Sequence, residues 1–144
     1  MRATATGFLG QLTVPRYEEV QRSAHGFHRD LWLLIPEVEK LTADREDAPE
    51  RAALAGVGEA RRRLEEIERA GLVGEVERVK RLARSVLALC DHCESLTGIT
   101  MCVVCDKPIE DPDRSVPYSH GDPSESMARP GRMHPECAGI RRLH

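Results

Sequence analysis

The chain has 144 residues, a formal net charge of −3, 31% charged side chains and only 3% aromatic ones. A core must therefore be built from aliphatic groups, and the charge balance does not suit a general nucleic-acid binder. No run of 18 apolar residues occurs, so a membrane span is not expected.

Residues 1–14 carry Thr, Ala and Gly without a period and read as a flexible N-terminal tail. From Pro15 the pattern changes. Val20, Ala24, Phe27, Leu31, Leu34, Val38 and Leu41 step in fours and threes, which is one face of a helix. Pro36 falls inside this run, where it removes a backbone donor. The apolar phase continues across it, so one kinked helix is expected rather than two. Thr42 to Ala48 forms a polar connection, and Asp47 followed by Pro49 signals a new helix start.

The second stripe is Ala53, Val57, Ala60, Leu64 and Ile67. Gly56 and Gly58 lie within it. Each costs an exposed helix up to ~1 kcal/mol relative to Ala, so close packing against a neighbour is the expected reason for them. Gly71 reads as a left-handed cap ending this helix. The third helix runs from about Gly74 to Leu96, with Val79, Leu82, Val86, Leu89, Cys93 and Leu96 in its stripe and Ala83, Leu87 and Cys90 beside it. Its wide apolar surface marks it as the central helix. Gly98 breaks it.

Beyond Gly98 the composition changes. Cys102-Val-Val-Cys105 is answered by His134-Pro-Glu-Cys137, with 28 residues between the pairs. Two residues between ligands let one tight turn bring both side chains to the same side of a tetrahedral ion. Pro135 suits the first position of a helix, which places His134 at its cap and Cys137 in its first turn. Ser115–Tyr118 and Gly131–Met133 read as the strands of a hairpin, and the Gly-, Pro- and Ser-rich segment 119–130 as a mobile loop. A turn-borne pair, a hairpin and a helix-borne pair make a treble-clef zinc module. Cys102, Cys105, His134 and Cys137 are its expected ligands. Four protein ligands leave no open coordination position, so the expected Zn2+ is structural.

Other candidates carry weaker signals. Cys90 and Cys93, with Cys102 and Cys105, could form a four-thiolate site, or the two could pair with each other in redox chemistry. Yet both lie on or beside an apolar stripe, where cysteine packs as a small hydrophobe. His25 and His28 stand three apart and could bind a metal together, though surface histidines are the expected account, and His92 lies one step off the stripe, facing solvent. His120 falls in the loop, where some treble-clef nucleases place a histidine. Ala138-Gly-Ile-Arg-Arg142 offers none of the Asn and His residues those enzymes also need. Arg61-Arg-Arg63 and the group Arg78, Lys80 and Arg81 are interleaved with glutamates, and pairs such as Glu77 with Arg81 fit a solvated face.

Leu33-Leu-Ile-Pro-Glu-Val-Glu39, Ala55-Gly-Val-Gly-Glu-Ala-Arg-Arg62, and Arg81-Leu-Ala-Arg84 running to Leu89-Cys-Asp-His92 carry a resemblance. Over residues 27–97 the chain resembles an actinobacterial family of unknown function whose members are labelled natural product biosynthesis proteins. The label names a context and brings no catalytic residues with it. The family pattern often has Tyr where this chain has Cys93, which argues against Cys93 as an obligatory ligand. The C-terminal segment is similar to small actinobacterial and phage Cys-x-x-Cys…His-x-x-Cys modules, in motif only.

The expected architecture is mainly α: a tail (1–14), a three-helix bundle (15–98) and a zinc module (99–144). The leading functional expectation is a non-catalytic, zinc-stabilised interaction or scaffold protein that supports or regulates natural product biosynthesis. A nucleic-acid-binding regulator is the second, and an enzyme using Cys90, Cys93 or His120 the third. A protein partner is expected first and nucleic acid second, with homo-oligomerisation open. The lack of a signal-like N-terminal stretch, together with paired cysteines suited to metal, points to the cytoplasm.

Overall fold

The structure, a computed structural model, describes residues 1–118 and 131–141. His120 and the expected mobile loop lie outside the described residues. The chain divides into two compact units, Met1–Thr97 and Gly98–His144.

The first unit holds four helices: α1 (Arg2–Leu9), α2 (Tyr17–Thr42), α3 (Ala48–Glu65) and α4 (Leu72–Thr97). The expected N-terminal tail is thus corrected to a helix, and the expected three-helix bundle to four helices. Its Ala5 and Phe8 are buried, and the Phe8 ring meets Phe27 edge-on with centroids 5.7 Å apart. Arg2, also buried, reaches Asp91 at 2.6 Å and Glu94 at 3.0 Å on α4. Eight residues with two core positions are too short to show a period, and an ion pair does part of the docking.

α4 packs against each of the other three helices, as its wide stripe predicts. Gln21 reaches Glu75 near its start, whereas Gly56 meets His92 and Arg63 meets Ser85 from the opposite direction. α2 therefore runs parallel to α4 and α3 antiparallel, and α1 also runs antiparallel, with Arg2 near the end of α4 and Phe8 beside Val76 near its start. Phe27, Leu31, Val57, Val79, Leu82, Val86 and Leu89 are fully buried. Each contributes roughly 1.5–3 kcal/mol through apolar area removed from water.

The boundaries follow local chemistry. α2 continues through Pro36, which sits on its exposed side. Asp47 caps α3 by accepting from the Glu50 N–H at 2.8 Å. Gly98, with φ +70°, follows the last residue of α4. Two expectations fail between α3 and α4. α3 ends at Glu65, leaving Ile67 83% exposed. Gly71 (φ +85°) does not close α3; it precedes α4, and its carbonyl accepts the Glu75 N–H at 3.1 Å.

The second unit carries a 3-10 turn (Pro112–Arg114), a two-stranded antiparallel sheet of β1 (Val116–Pro117) and β2 (Arg132–Met133), and α5 (Pro135–Arg141). Val116 pairs with Met133 and Pro117 with Arg132. Its core is Cys102, Val103, Ile109, Met133 and Cys137, flanked by Val116, Tyr118 and Ala138. Val104, by contrast, is exposed.

Candidate metal centre

The first ligand pair sits in a tight backbone turn. The Cys102 N–H donates to the Lys107 carbonyl at 2.8 Å, and the Asp106 N–H to the Cys102 carbonyl at 2.9 Å. The Ile109 N–H donates to the Thr100 carbonyl at 2.8 Å, closing the ends. Asp106 takes φ +54°, a left-handed conformation that aspartate enters more readily than most residues. The reversal turns the backbone N–H groups of Val104 and Cys105 onto the Cys102 sulfur, and the His134 N–H approaches the same sulfur at 3.5 Å.

The second pair is positioned by β2 and α5. The Val103 N–H donates to the Arg132 carbonyl at 3.0 Å, which ties the turn to β2. Just before β2, a Cβ on Gly131 would stand 2.4 Å from the Val103 Cγ1, so this approach demands glycine. Arg132 holds the segment just before β1 through the carbonyls of Pro112 and Ser115, each at 3.1 Å. His134 caps α5, its carbonyl accepting the Ala138 N–H at 3.1 Å. Pro135 opens the helix, and Cys137 falls in its first turn, as the sequence predicts.

The ligand atoms of Cys102, Cys105, His134 and Cys137 all lie within 4.8 Å of one another. The His134 Nδ1 is 3.4 Å from the Cys105 sulfur and 3.9 Å from that of Cys137. Around a tetrahedral ion with zinc-like bonds, sulfur and nitrogen would be separated by about 3.6 Å, which these distances bracket. The other imidazole nitrogen, Nε2, meets the Pro108 carbonyl at 3.1 Å. An Nε2–H donated there leaves the Nδ1 lone pair aimed at the sulfurs, the outer support typical of a ligating histidine. The residues present therefore fit a four-coordinate metal ion.

The electrostatics point the same way. Burial pushes the Cys102 thiol up, but the N–H groups of Cys105, His134 and Val104 outweigh it and bring it down to about 6. Burial and the neighbouring Cys105 and Cys102 sulfurs push Cys137 up to about 12. The Cys102 and Cys137 thiols are thus pushed in opposite directions, and a bound cation would favour both as thiolates.

Among the described residues, no other three His, Cys, Asp or Glu side chains converge in this way. Cys90 and Cys93 pack against the helical core, where burial holds Cys90 up at about 12 and also raises Cys93. His92, expected to face solvent, is instead half-buried. Its ring packs over Gly56, whose missing Cβ would lie 3.0 Å away. Gly58 has no such close neighbour across the bundle. His25 lies 2.8 Å from the Gln21 carbonyl, and burial pushes His28 down, with the Arg78 and His25 charges adding to it.

The basic clusters are engaged within the helical unit. Arg61 pairs with Glu39, Arg62 and Arg63 with Glu59, Lys80 with Glu77, and Arg81 with Glu66. Arg81 thus reaches back to Glu66 rather than to the expected Glu77. The pattern also hid a buried pair. Glu75 is fully buried, and Arg78 grips it through two bonds at 2.5 and 2.9 Å. Gln21 at 3.3 Å and the Arg69 N–H at 3.0 Å complete the shell. A Glu at i and an Arg at i+3 are indistinguishable in sequence from the exposed pairs around them.

No helix among the described residues is long and apolar enough to cross a membrane. Compared with known proteins, residues 1–98 match the family described as Family of unknown function (DUF6415). No curated protein and no solved structure matches the chain.

Proposed function

We propose, for a chain that belongs to the DUF6415 family of unknown function, a non-catalytic scaffold or interaction role with Zn2+ as a structural ion in the C-terminal unit. The closed ligand set carries this reading. Cys102, Cys105, His134 and Cys137 would fill all four corners of a zinc tetrahedron, leaving no position for substrate or water. Three sulfurs and an imidazole are also the donor set that favours zinc over harder ions. The bound ion would supply cross-linking of the turn to α5 and no reaction.

The interaction role draws on α2. The chain's single tryptophan, Trp32, is 67% exposed there, and Leu33 beside it is 58% exposed. Large apolar groups grouped on a helix surface mark partner contacts more often than isolated ones do. The partner belongs, in this reading, to natural product biosynthesis in an actinobacterial cytoplasm, the setting implied by the sequence resemblance. Elemental analysis of the purified chain tests the metal half: one zinc per chain is expected. Affinity capture from the native cell, repeated with Trp32→Ala and Leu33→Ala together, tests the other half. A partner retained equally by both proteins would overturn the assignment of this face.

A nucleic-acid-binding regulator remains the second reading. The ion pairs of Arg61, Arg62, Arg63 and Arg81 weigh against it. Binding to duplex DNA that weakens steeply with salt would favour it instead.

A further inference from the structure

Solvent reaches the four ligands unequally. Cys102 and Cys137 are buried, whereas Cys105 is exposed and lies next to the exposed Val104. The Cys105 sulfur shares one turn with the Cys102 sulfur, and the two lie within 4.8 Å of each other. The half-buried thiols Cys90 and Cys93 pack on the helical core of the other unit. A small neutral oxidant such as hydrogen peroxide therefore has open access to one ligand of the centre, with a second sulfur in the same turn to resolve the product.

We propose that the centre is a peroxide-responsive release site, in which Cys105 is oxidised first and closes a disulfide on Cys102, freeing the metal. The proposal rests on the zinc reading above. In the first step the Cys105 sulfur attacks one peroxide oxygen. An S–O bond forms, the O–O bond breaks, and hydroxide leaves with the electron pair. In the second step the Cys102 thiolate attacks the Cys105 sulfenic sulfur. The S–S bond forms, the S–O bond breaks, and a second hydroxide leaves. Two protons from solvent convert both hydroxides to water. Two thiolates have lost two electrons to one peroxide, and Zn2+ departs as the hydrated ion with only His134 and Cys137 left to hold it.

The consequence is local. The second unit is built around Cys102 and Cys137, two of the five residues of its core, so loss of the ion loosens that unit. The helical unit keeps its own core. Release of zinc thereby reports oxidant as unfolding of one unit.

The test treats the zinc-loaded full chain with hydrogen peroxide and follows zinc with a chromogenic chelator. Peptide mapping locates the disulfide. One zinc per chain should be released as two thiols disappear, with Cys102 joined to Cys105 and the helical circular dichroism largely retained. A dithiol reductant plus added zinc should restore the centre. Cys105→His keeps four ligands and should slow release by more than an order of magnitude. Zinc retained under peroxide, a disulfide joining any other pair, or equal release from Cys105→His would overturn the proposal. Should Cys105→His fail to load zinc, mapping of the parent chain and of Cys90→Ser/Cys93→Ser still decides. The double variant must release zinc as the parent does. A purified chain that never contains zinc would overturn the metal reading itself, a result distinct from zinc that is bound and not released.

Discussion

The Nε2 atom of His134 lies 3.1 Å from the carbonyl oxygen of Pro108, in the exit of the turn that carries Cys102 and Cys105. One ligand pair thus orients a member of the other through the backbone. This contact fixes which imidazole nitrogen faces the sulfurs. His134→Cys should retain a metal ion, because a thiolate needs no tautomer and zinc accepts four sulfurs. His134→Ala should lower metal affinity by at least about 10-fold, the lower end for losing even a supporting group. Competition with a chelator of known affinity measures both.

Metal removal should affect the two units differently. Among its described residues the C-terminal unit buries few large apolar side chains, too few to offset their ordering entropy. Ion binding contributes of order 10 kcal/mol in small zinc modules. A strong chelator, or Cys102→Ser, should therefore unfold residues beyond about 98 and leave the helices. Hydrogen exchange should accelerate only in the second unit. Simultaneous loss of protection throughout would refute independent folding.

Gly131→Ala should damage the centre without touching a ligand. The new Cβ would stand 2.4 Å from the Val103 Cγ1 and force the turn away from β2. Overpacking of this kind costs about 1–3 kcal/mol. The expected result is weaker metal retention in chelator competition, with an unchanged helical unfolding transition.

Cys90→Ala combined with Cys93→Ala should leave metal content unchanged and cost roughly 1 kcal/mol of helical stability. Since burial holds Cys90 up at about 12, it should resist alkylation at neutral pH in the folded chain. Loss of metal from the double variant would restore the four-thiolate alternative.

Glu75 gives the helical unit a pH dependence. The Arg78 bond outweighs burial and holds the Glu75 carboxyl below its usual value of 4.5. A lowered folded value means stability that is present above the unfolded value and lost as pH falls through the folded one. Acid titration of thermal stability should therefore decline below about pH 4.5, and less so in a Glu75→Leu/Arg78→Met double variant. Glu75→Ala alone strands a buried Arg78 and should cost about 3–5 kcal/mol. Equal acid sensitivity of parent and double variant would remove this pair from the account.

What the sequence revealed was set by period and by ligand spacing. The long stripes of α2 and α4 were legible because many core positions repeat, and Cys102, Cys105, His134 and Cys137 because two-residue gaps mark chelation. α1 was not, since only Ala5 and Phe8 repeat and Arg2 docks by charge. Ile67 kept the phase of α3 beyond the point where the backbone turns away. The Pro108 carbonyl and the N–H groups around Cys102 belong to the main chain, so no residue type announces them.

The 28 residues 106–133 that separate the ligand pairs also set an order of assembly. Cys102 and Cys105 meet within one turn and need no long loop closed. His134 and Cys137 must be brought back across that span, at an entropic cost that grows with the logarithm of its length. The turn is therefore the natural first holder of an arriving ion, and α5 the late one. Chelator present during refolding would compete with a half-filled site. Added afterwards, it would meet a complete shell. With zinc bound as proposed, the history of the chain, and not only its equilibrium, would decide how readily it surrendered the ion.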